Sequence, residues 1–426
     1  MIQGKAKISN VFRILIIAAM IYMLGYIRAF FGVSASFVAY YKYGIVLLGV
    51  ILAIWSYTKK AKNAELAKCY NLLTRYMKIY LPIIVFMMIY SFIIHDYSIR
   101  MLFLTSLPYL YVFWAYPICY VLFKDGTSEK MLNTILLLVV GILIIKFIGW
   151  FLFQYGGIKV FEDLIFQYKD WARSETHRVD IGYLFAFAYT FALLGMFRKK
   201  VKIKYIAIVI GMIVFTVIVT QYRYLVITIL IEFLIVYYLS SKDSKNRVLR
   251  VLLIAIVLAA FILFGGLDFI INSFSVQGEY GTSTMARVKT ITHYWGEVTD
   301  KFRIFGLGFL SESDPITGKI GINVTRGTYW MSDIGILGGF FTFGILSIPL
   351  YFYLFYLAIT TCKKAYRFNN RKKLIMSVGL STYLIVLCIM MNIFDEQRSF
   401  NLPFYLAFFS FWNYRINKDG FGSSRI

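Results

Sequence analysis

The sequence predicts an all-α polytopic integral membrane protein with about twelve transmembrane helices, both termini cytoplasmic and two large outer loops. Three observations predict it. Of the 426 residues, 60% are hydrophobic and only 15% are charged, whereas soluble domains carry charge on about a quarter of their residues. Apolar runs long enough to cross about 30 Å of hydrocarbon recur from end to end. The basic residues also segregate to alternate connections. Because the runs are continuous rather than alternating, a β-barrel is excluded. No cleavable signal peptide is evident, since the first run is long and no small-residue cleavage site follows it.

In order, the expected spans are 11–30, 38–56, 79–94, 102–123, 131–153, 181–197, 205–220, 224–240, 251–266, 332–358, 374–394 and 400–413. The third and last are short. Only "QYR" (221–223) separates the seventh from the eighth, which predicts a tight hairpin. With the N-terminus inside, the inner segments hold 29 basic and 5 acidic residues, and the outer ones 14 and 15. This is the positive-inside asymmetry. The net charge of +24 therefore faces anionic inner-leaflet lipid rather than nucleic acid. No cysteine falls in an outer loop and no CxxC occurs, so neither an outer disulfide nor a thiolate metal site is expected. All three histidines (His95, His177, His293) and four tryptophans (Trp150, Trp171, Trp295, Trp330) fall at or beyond the outer interface, as aromatic belts do.

Two outer loops, 154–180 and 267–331, hold the material for a site, because loops this long are functional or disordered and both are rich in aromatic and aliphatic residues. In the first, apolar residues at 160, 161, 164, 165 and 168 suit an interfacial helix. If that helix continues, Asp170, Arg173 and His177 share a face at i, i+3 and i+7, with Arg178 next in line; solvated loop charges are the bland alternative. In the second, Val288, Ile291, Trp295 and Val298 predict an amphipathic helix in the outer interface. Arg287 and Tyr294 project from a different stripe of it, and Lys289 reaches His293 at i+4. "FGLGF" (305–309) then ends the helix; its GxG is a weak phosphate-nest signal, and a plain turn is the simpler reading. Arg28, Lys146 and Arg223 lie in the outer halves of spans. Intramembrane charges are functional candidates by default, and snorkelling to the headgroups is the alternative. Glu232 lies deeper, either neutral and hydrogen-bonded or paired with Lys146.

The span opening "QYRYLVITIL" (221–230), the long outer loop after it and "WMSDIGILGGFFTFGILSIPLYFYLF" (330–355) together resemble the Wzy-type O-antigen polymerases and their relatives, the O-antigen ligases. In that superfamily an arginine opens a span, and a carboxylate–x–Gly–apolar–apolar–Gly pattern, here Asp333 to Gly338, opens the span after the large loop. The ligases carry a histidine late in that loop, where this chain reads "INVTRGTYW" (322–330) with Arg326 as its one strong polar group, so the likeness is to the polymerases. The resemblance implies a multi-pass protein of the bacterial inner membrane. Its substrate would be a polyprenyl (undecaprenyl) diphosphate-linked oligosaccharide, and a separate chain-length regulator would be a possible partner; no metal or cofactor is implied. Guanidinium groups suit the departing diphosphate, and an acceptor hydroxyl needs a base within reach. Arg173, Arg178, Arg223, Arg287 and Arg326, with Lys146 and Tyr294, are thus the expected diphosphate and glycan ligands. Asp333, His293 and His177 are the base candidates, helix capping being the bland role for Asp333. Gly335, Gly338, Gly339 and Gly344 are expected to allow close helix packing. The alternative readings are a ligase passing glycan to lipid A core and, less in keeping with the long loops and absent repeat, a lipid-linked oligosaccharide flippase.

Overall fold

The computed structural model describes residues 2–31, 35–160, 172–173, 176–197, 203–240, 248, 250–254, 281–300, 303–310, 320, 322–323, 327–395 and 398–423. Among them the helices are α1 (Ile2–Met23), α2 (Tyr26–Phe31), α3 (Ala35–Thr58), α4 (Ala64–His95), α5 (Ile99–Ser106), α6 (Ala115–Asp125) and α7 (Glu129–Gly156). They continue with α8 (Phe185–Met196), α9 (Ile203–Val214), α10 (Arg223–Leu239), α11 (Gly281–Thr299), α12 (Ile336–Phe343), α13 (Ser347–Arg367), α14 (Arg371–Met390) and α15 (Leu402–Ser423). Two antiparallel pairs of two-residue strands complete the set: β1 (Ala172–Arg173) with β2 (Thr176–His177), and β3 (Ile322–Asn323) with β4 (Gly327–Thr328).

Seven stretches are long and apolar enough to cross a membrane: Tyr41–Lys62, Ala64–His95, Ile99–Asp125, Glu129–Gly156, Ile203–Thr220, Ile336–Arg367 and Arg371–Met390. Each coincides with an expected span. The expected spans 11–30, 181–197, 224–240 and 400–413 fall on α1–α2, α8, α10 and α15, and 251–266 lies mostly outside the described residues. Large apolar side chains such as Ile14, Ile54, Ile93, Leu137, Ile210 and Phe352 stand exposed along these helices. A patch that size on a soluble monomer would be an aggregation liability; against lipid it is the outer face of the bundle. Near the ends of the helices, Asp125 pairs with Arg13, Glu129 with Lys372, and Glu65 with Lys68, Lys418 and the Tyr414 hydroxyl.

The short last span is the centre of the molecule. From Leu402 to Asn413 every α15 residue is buried, packed by α6, α4 and α13. A helix apolar on all sides belongs in a core, and burial rather than length is what its composition reports. The seventh span ends in a π-helical turn, Phe215–Thr220, closed by Gln221 in the left-handed region with its N–H on the Thr216 carbonyl at 2.9 Å. Arg223 then opens α10, so the helix breaks at "QYR".

The tenth span departs from expectation. It is two helices, α12 and α13, broken at Gly344, whose φ of 56° and ψ of −138° no helix contains. A break in a membrane helix frees carbonyls that must find donors. The "FGLGF" segment supplies them: Leu307 N–H donates to the Phe341 carbonyl (2.7 Å), Gly308 N–H to that of Thr342 (3.1 Å), and Ile345 N–H to Ile304 (3.0 Å). The other edge of the segment docks on the C-terminal end of α4. There the Tyr90 hydroxyl donates to the Gly306 carbonyl, His95 Nε2 to Leu307 (2.7 Å), and Phe309 N–H to Ser91 Oγ (2.8 Å). The GxG is a strut between helices rather than a phosphate nest, and His95 is part of it.

Candidate functional site

The end of the first outer loop is tied down one residue at a time. Trp150 Nε1 donates to the His177 carbonyl, Gln154 Oε1 accepts from His177 N–H, and Val179 N–H donates to Val219. Lys146 is only 4% exposed, and its Nζ donates to the Asp180 carbonyl at 2.7 Å; it is a buried loop anchor that does not snorkel. The pairing of Ala172–Arg173 with Thr176–His177 reverses the chain between them. This corrects the expectation of a continuous helix with Asp170, Arg173 and His177 on one face, because two residues of strand cannot hold a helical stripe. Asp170 and Arg326 lie outside the described residues, as do the side chains of Arg173 and Arg28.

What this anchoring brings together is a polar rim where α7 and α14 end and α10 and α12 begin. Asp180 Oδ1 accepts from the Tyr222 hydroxyl at 3.2 Å, and Tyr222 stacks on Tyr224. Burial, with the Asp180 charge behind it, pushes the Tyr222 phenol well above its ordinary value. Arg178 is half-buried; burial pulls its guanidinium down, while Tyr222 and Asp333 act in the opposite sense. Asp333 sits on a short 3-10 turn, Met331–Asp333. Its Oδ1 accepts from Ser332 Oγ (3.3 Å) and from Arg398 Nη2 (3.5 Å). Its Oδ2 has no hydrogen bond among the described residues, and the side chain is 39% exposed. The N-cap of α12 is Gly335, without a side-chain cap, so helix capping is not what Asp333 does.

Arg398 is the residue that reading the sequence missed. Its side chain is 14% exposed; Nη1 donates to the Ser332 carbonyl at 3.3 Å and lies 3.9 Å from Asp395. Burial alone would lower its pKa, but Tyr224, Asp333, Asp395 and Tyr222 outweigh burial and hold it above the ordinary arginine value. Its signal was present in "FDEQRSFN" (394–401), the one outer cation after residue 330, flanked by carboxylates. Weighing loops by length hid it. Arg398→Ala should leave Asp333, Asp395 and the Ser332 carbonyl short of a donor, costing about 1–3 kcal/mol, read as a lowered thermal unfolding midpoint in detergent.

α11 closes the rim from above. Of its apolar stripe, Val288 is 46% and Trp295 52% exposed, while Ile291 and Val298 pack against the cluster that buries Tyr294. The Tyr294 hydroxyl donates to the Tyr329 carbonyl (2.9 Å) and its ring packs with Leu307, Ile334 and Phe341, so Tyr294 fixes the helix to the α12 cap. Arg287, seven residues earlier on the same stripe, is half-buried within electrostatic reach of Tyr224. Its Nε is sealed from solvent without a hydrogen-bond partner among the described residues. Arg223, half-buried, opens α10 between Tyr222 and Tyr224. His293 stands apart: Nε2 donates to the Ile320 carbonyl at 2.6 Å and the ring stacks on Tyr329, with no contact to Lys289 among these. The His177 ring lies edge-on to Phe153. The structure therefore gathers Arg178, Arg287, Asp333 and Arg398 around Tyr222 and Tyr224, with Arg223 between those tyrosines in sequence, and sets the His177 and His293 rings against Phe153 and Tyr329. Among the described residues no three His, Cys, Asp or Glu side chains converge as metal ligands would.

Fold and rim together define a multi-helix protein, membrane-spanning by length and composition, with cationic and carboxylate side chains gathered at one end of the bundle. No protein-family model matches this chain, and no curated protein matches it by sequence.

Proposed function

We propose that this protein is a glycosyltransferase of the bacterial inner membrane, with twelve spans and both termini inside. It would polymerise polyprenyl diphosphate-linked oligosaccharide repeat units at the outer face. The observation that carries the reading is Arg287, a half-buried guanidinium whose Nε has no partner among the described residues, within electrostatic reach of Tyr224, which also reaches Asp333 and Arg398. Buried donors without acceptors are rare in native structures and call for a ligand; a diphosphate offers the matching bidentate oxygens. In this reading the acceptor hydroxyl gives its proton to Asp333 Oδ2 and its oxygen attacks the donor's anomeric carbon. The bond from that carbon to the diphosphate oxygen breaks, its electron pair leaves with the lipid diphosphate, and the arginines stabilise the growing charge. Arg398 holds Asp333 in place by its other oxygen.

The test is the glycan size profile of a deletion strain. Loss of a polymerase leaves core bearing a single repeat unit, and reintroducing the chain restores the ladder. Bare core would assign the ligase reaction instead, and repeat units trapped on the inner leaflet would assign transport.

A further inference from the structure

Glu232 lies in α10, two and a half turns below the rim, and is 0% exposed. No lysine or arginine among the described residues pairs with it; Lys146 is committed to the Asp180 carbonyl. Among the described residues its one hydrogen bond is to Thr190 of α8, with Oε1 at 2.5 Å from Oγ1, and Oε2 is sealed without a partner there. Thr190 Oγ1 also lies 2.7 Å from the Ala186 carbonyl. A hydroxyl has one proton, and both of these neighbours are acceptors if Glu232 is ionised. Both contacts are hydrogen bonds only when the carboxyl itself donates to Oγ1, which passes its own proton to Ala186. A carboxylate there would also carry an unsolvated charge on Oε2 inside the bilayer, which proteins avoid. Gly379 of α14 makes room for the pair, since a Cβ would stand 2.6 Å from Thr190 Cγ2 and 2.9 Å from Glu232 Oε1.

The groups that face the carboxyl are all hydroxyls. Tyr189 and Thr190 come from α8, Tyr383 from α14 and Tyr405 from α15. The Tyr189 hydroxyl is used on the Ile229 carbonyl, whereas that of Tyr405 has no hydrogen-bond partner among the described residues. Tyr383 is within electrostatic reach of Glu232 on one side and of Tyr224 and Asp180 on the other. Tyr224 in turn reaches Asp333 and Arg398. Tyr383 and Tyr224 are therefore the phenols within electrostatic reach of both the buried acid and the rim.

We propose that Glu232 is an intramembrane proton-binding site, the neutral acid bridging α10 to α8 and exchanging its proton with the outer rim through Tyr383 and Tyr224. The site stands apart from the glycan chemistry and does not depend on it. Infrared spectroscopy of the purified full-length protein in lipid at neutral pH tests it. The carbonyl stretch of a protonated carboxylic acid should be present, absent in Glu232→Gln, and moved to higher frequency in Thr190→Val, which removes the hydroxyl partner. Should the Gln variant not accumulate, the Thr190→Val shift alone assigns the band. In D2O the band should shift with exchange, and Tyr383→Phe, which keeps the ring, should slow that exchange. No such band, or a band that neither variant alters, overturns the proton site; unchanged exchange in Tyr383→Phe overturns the route.

Discussion

Arg287→Ala should stop glycan elongation while leaving the protein folded and inserted. The two halves of that expectation come from one observation. The Arg287 Nε has no hydrogen-bond partner among the described residues, so its removal breaks no bond at that nitrogen and relieves one unsatisfied buried donor. Thermal unfolding in detergent should move little, within the roughly ±0.5 kcal/mol typical of substitutions that break no internal feature. In the proposed reaction, however, the same guanidinium meets charge that develops as the lipid diphosphate departs. Removing one preorganised donor from such a position costs about 10²–10³ in rate. Arg287→Lys keeps the charge but not the bidentate geometry and should fall between. Chain length on gels from complemented cells, together with polymerisation of purified lipid-linked units, reads the effect. Wild-type ladders in Arg287→Ala would remove this residue from the mechanism.

The contrast with Arg398 separates substrate binding from positioning. Arg398 is occupied by Asp333, Asp395 and the Ser332 carbonyl, so its replacement disturbs the turn that carries Asp333 and lowers stability and activity together. A residue whose loss costs activity alone is touching substrate; one whose loss costs both is holding something that does.

The seven long apolar stretches, the helix break at "QYR" and the α11 helix were legible because each depends on local sequence pattern, which the chain carries openly. In α11 the pattern set Tyr294 on a different stripe from Val288, and Tyr294 is buried where Val288 is exposed. Three features were not legible, for three different reasons. The central place of α15 depends on what surrounds it, and a run apolar on all sides looks the same against lipid as against helices. Asp333 two residues before a glycine resembles a cap, and only the start of α12 at Ile336, with Gly335 as its N-cap, rules that out. The break at Gly344 was hidden because a glycine that packs and a glycine that turns are the same letter.

That break is the position where one methyl group should do most harm. At Gly344 a Cβ would stand 2.0 Å from the Ile304 oxygen and 2.5 Å from both Gly306 N and the Phe305 carbonyl carbon. All three are backbone atoms, so no rotamer change makes room. Its φ and ψ also lie in a region open essentially to glycine alone. Gly344→Ala must therefore part α12 from the 304–308 strut, and parting them strands the Phe341 and Thr342 carbonyls and the Ile345 N–H that the strut satisfies. Strain of about 1–3 kcal/mol adds to roughly 1–3 kcal/mol for each orphaned group, enough to exceed the total stability of many domains. The variant should fail to accumulate in membranes or unfold far below the wild type. Gly211→Ala is the matched control: a helical glycine with nothing within 4 Å of its added Cβ, where alanine should be neutral or slightly stabilising. Equal accumulation and equal unfolding of the two variants would mean that α12 and α13 form one continuous helix. The turn carrying Asp333 would then have no fixed place above the break, and the rim would lose its carboxylate.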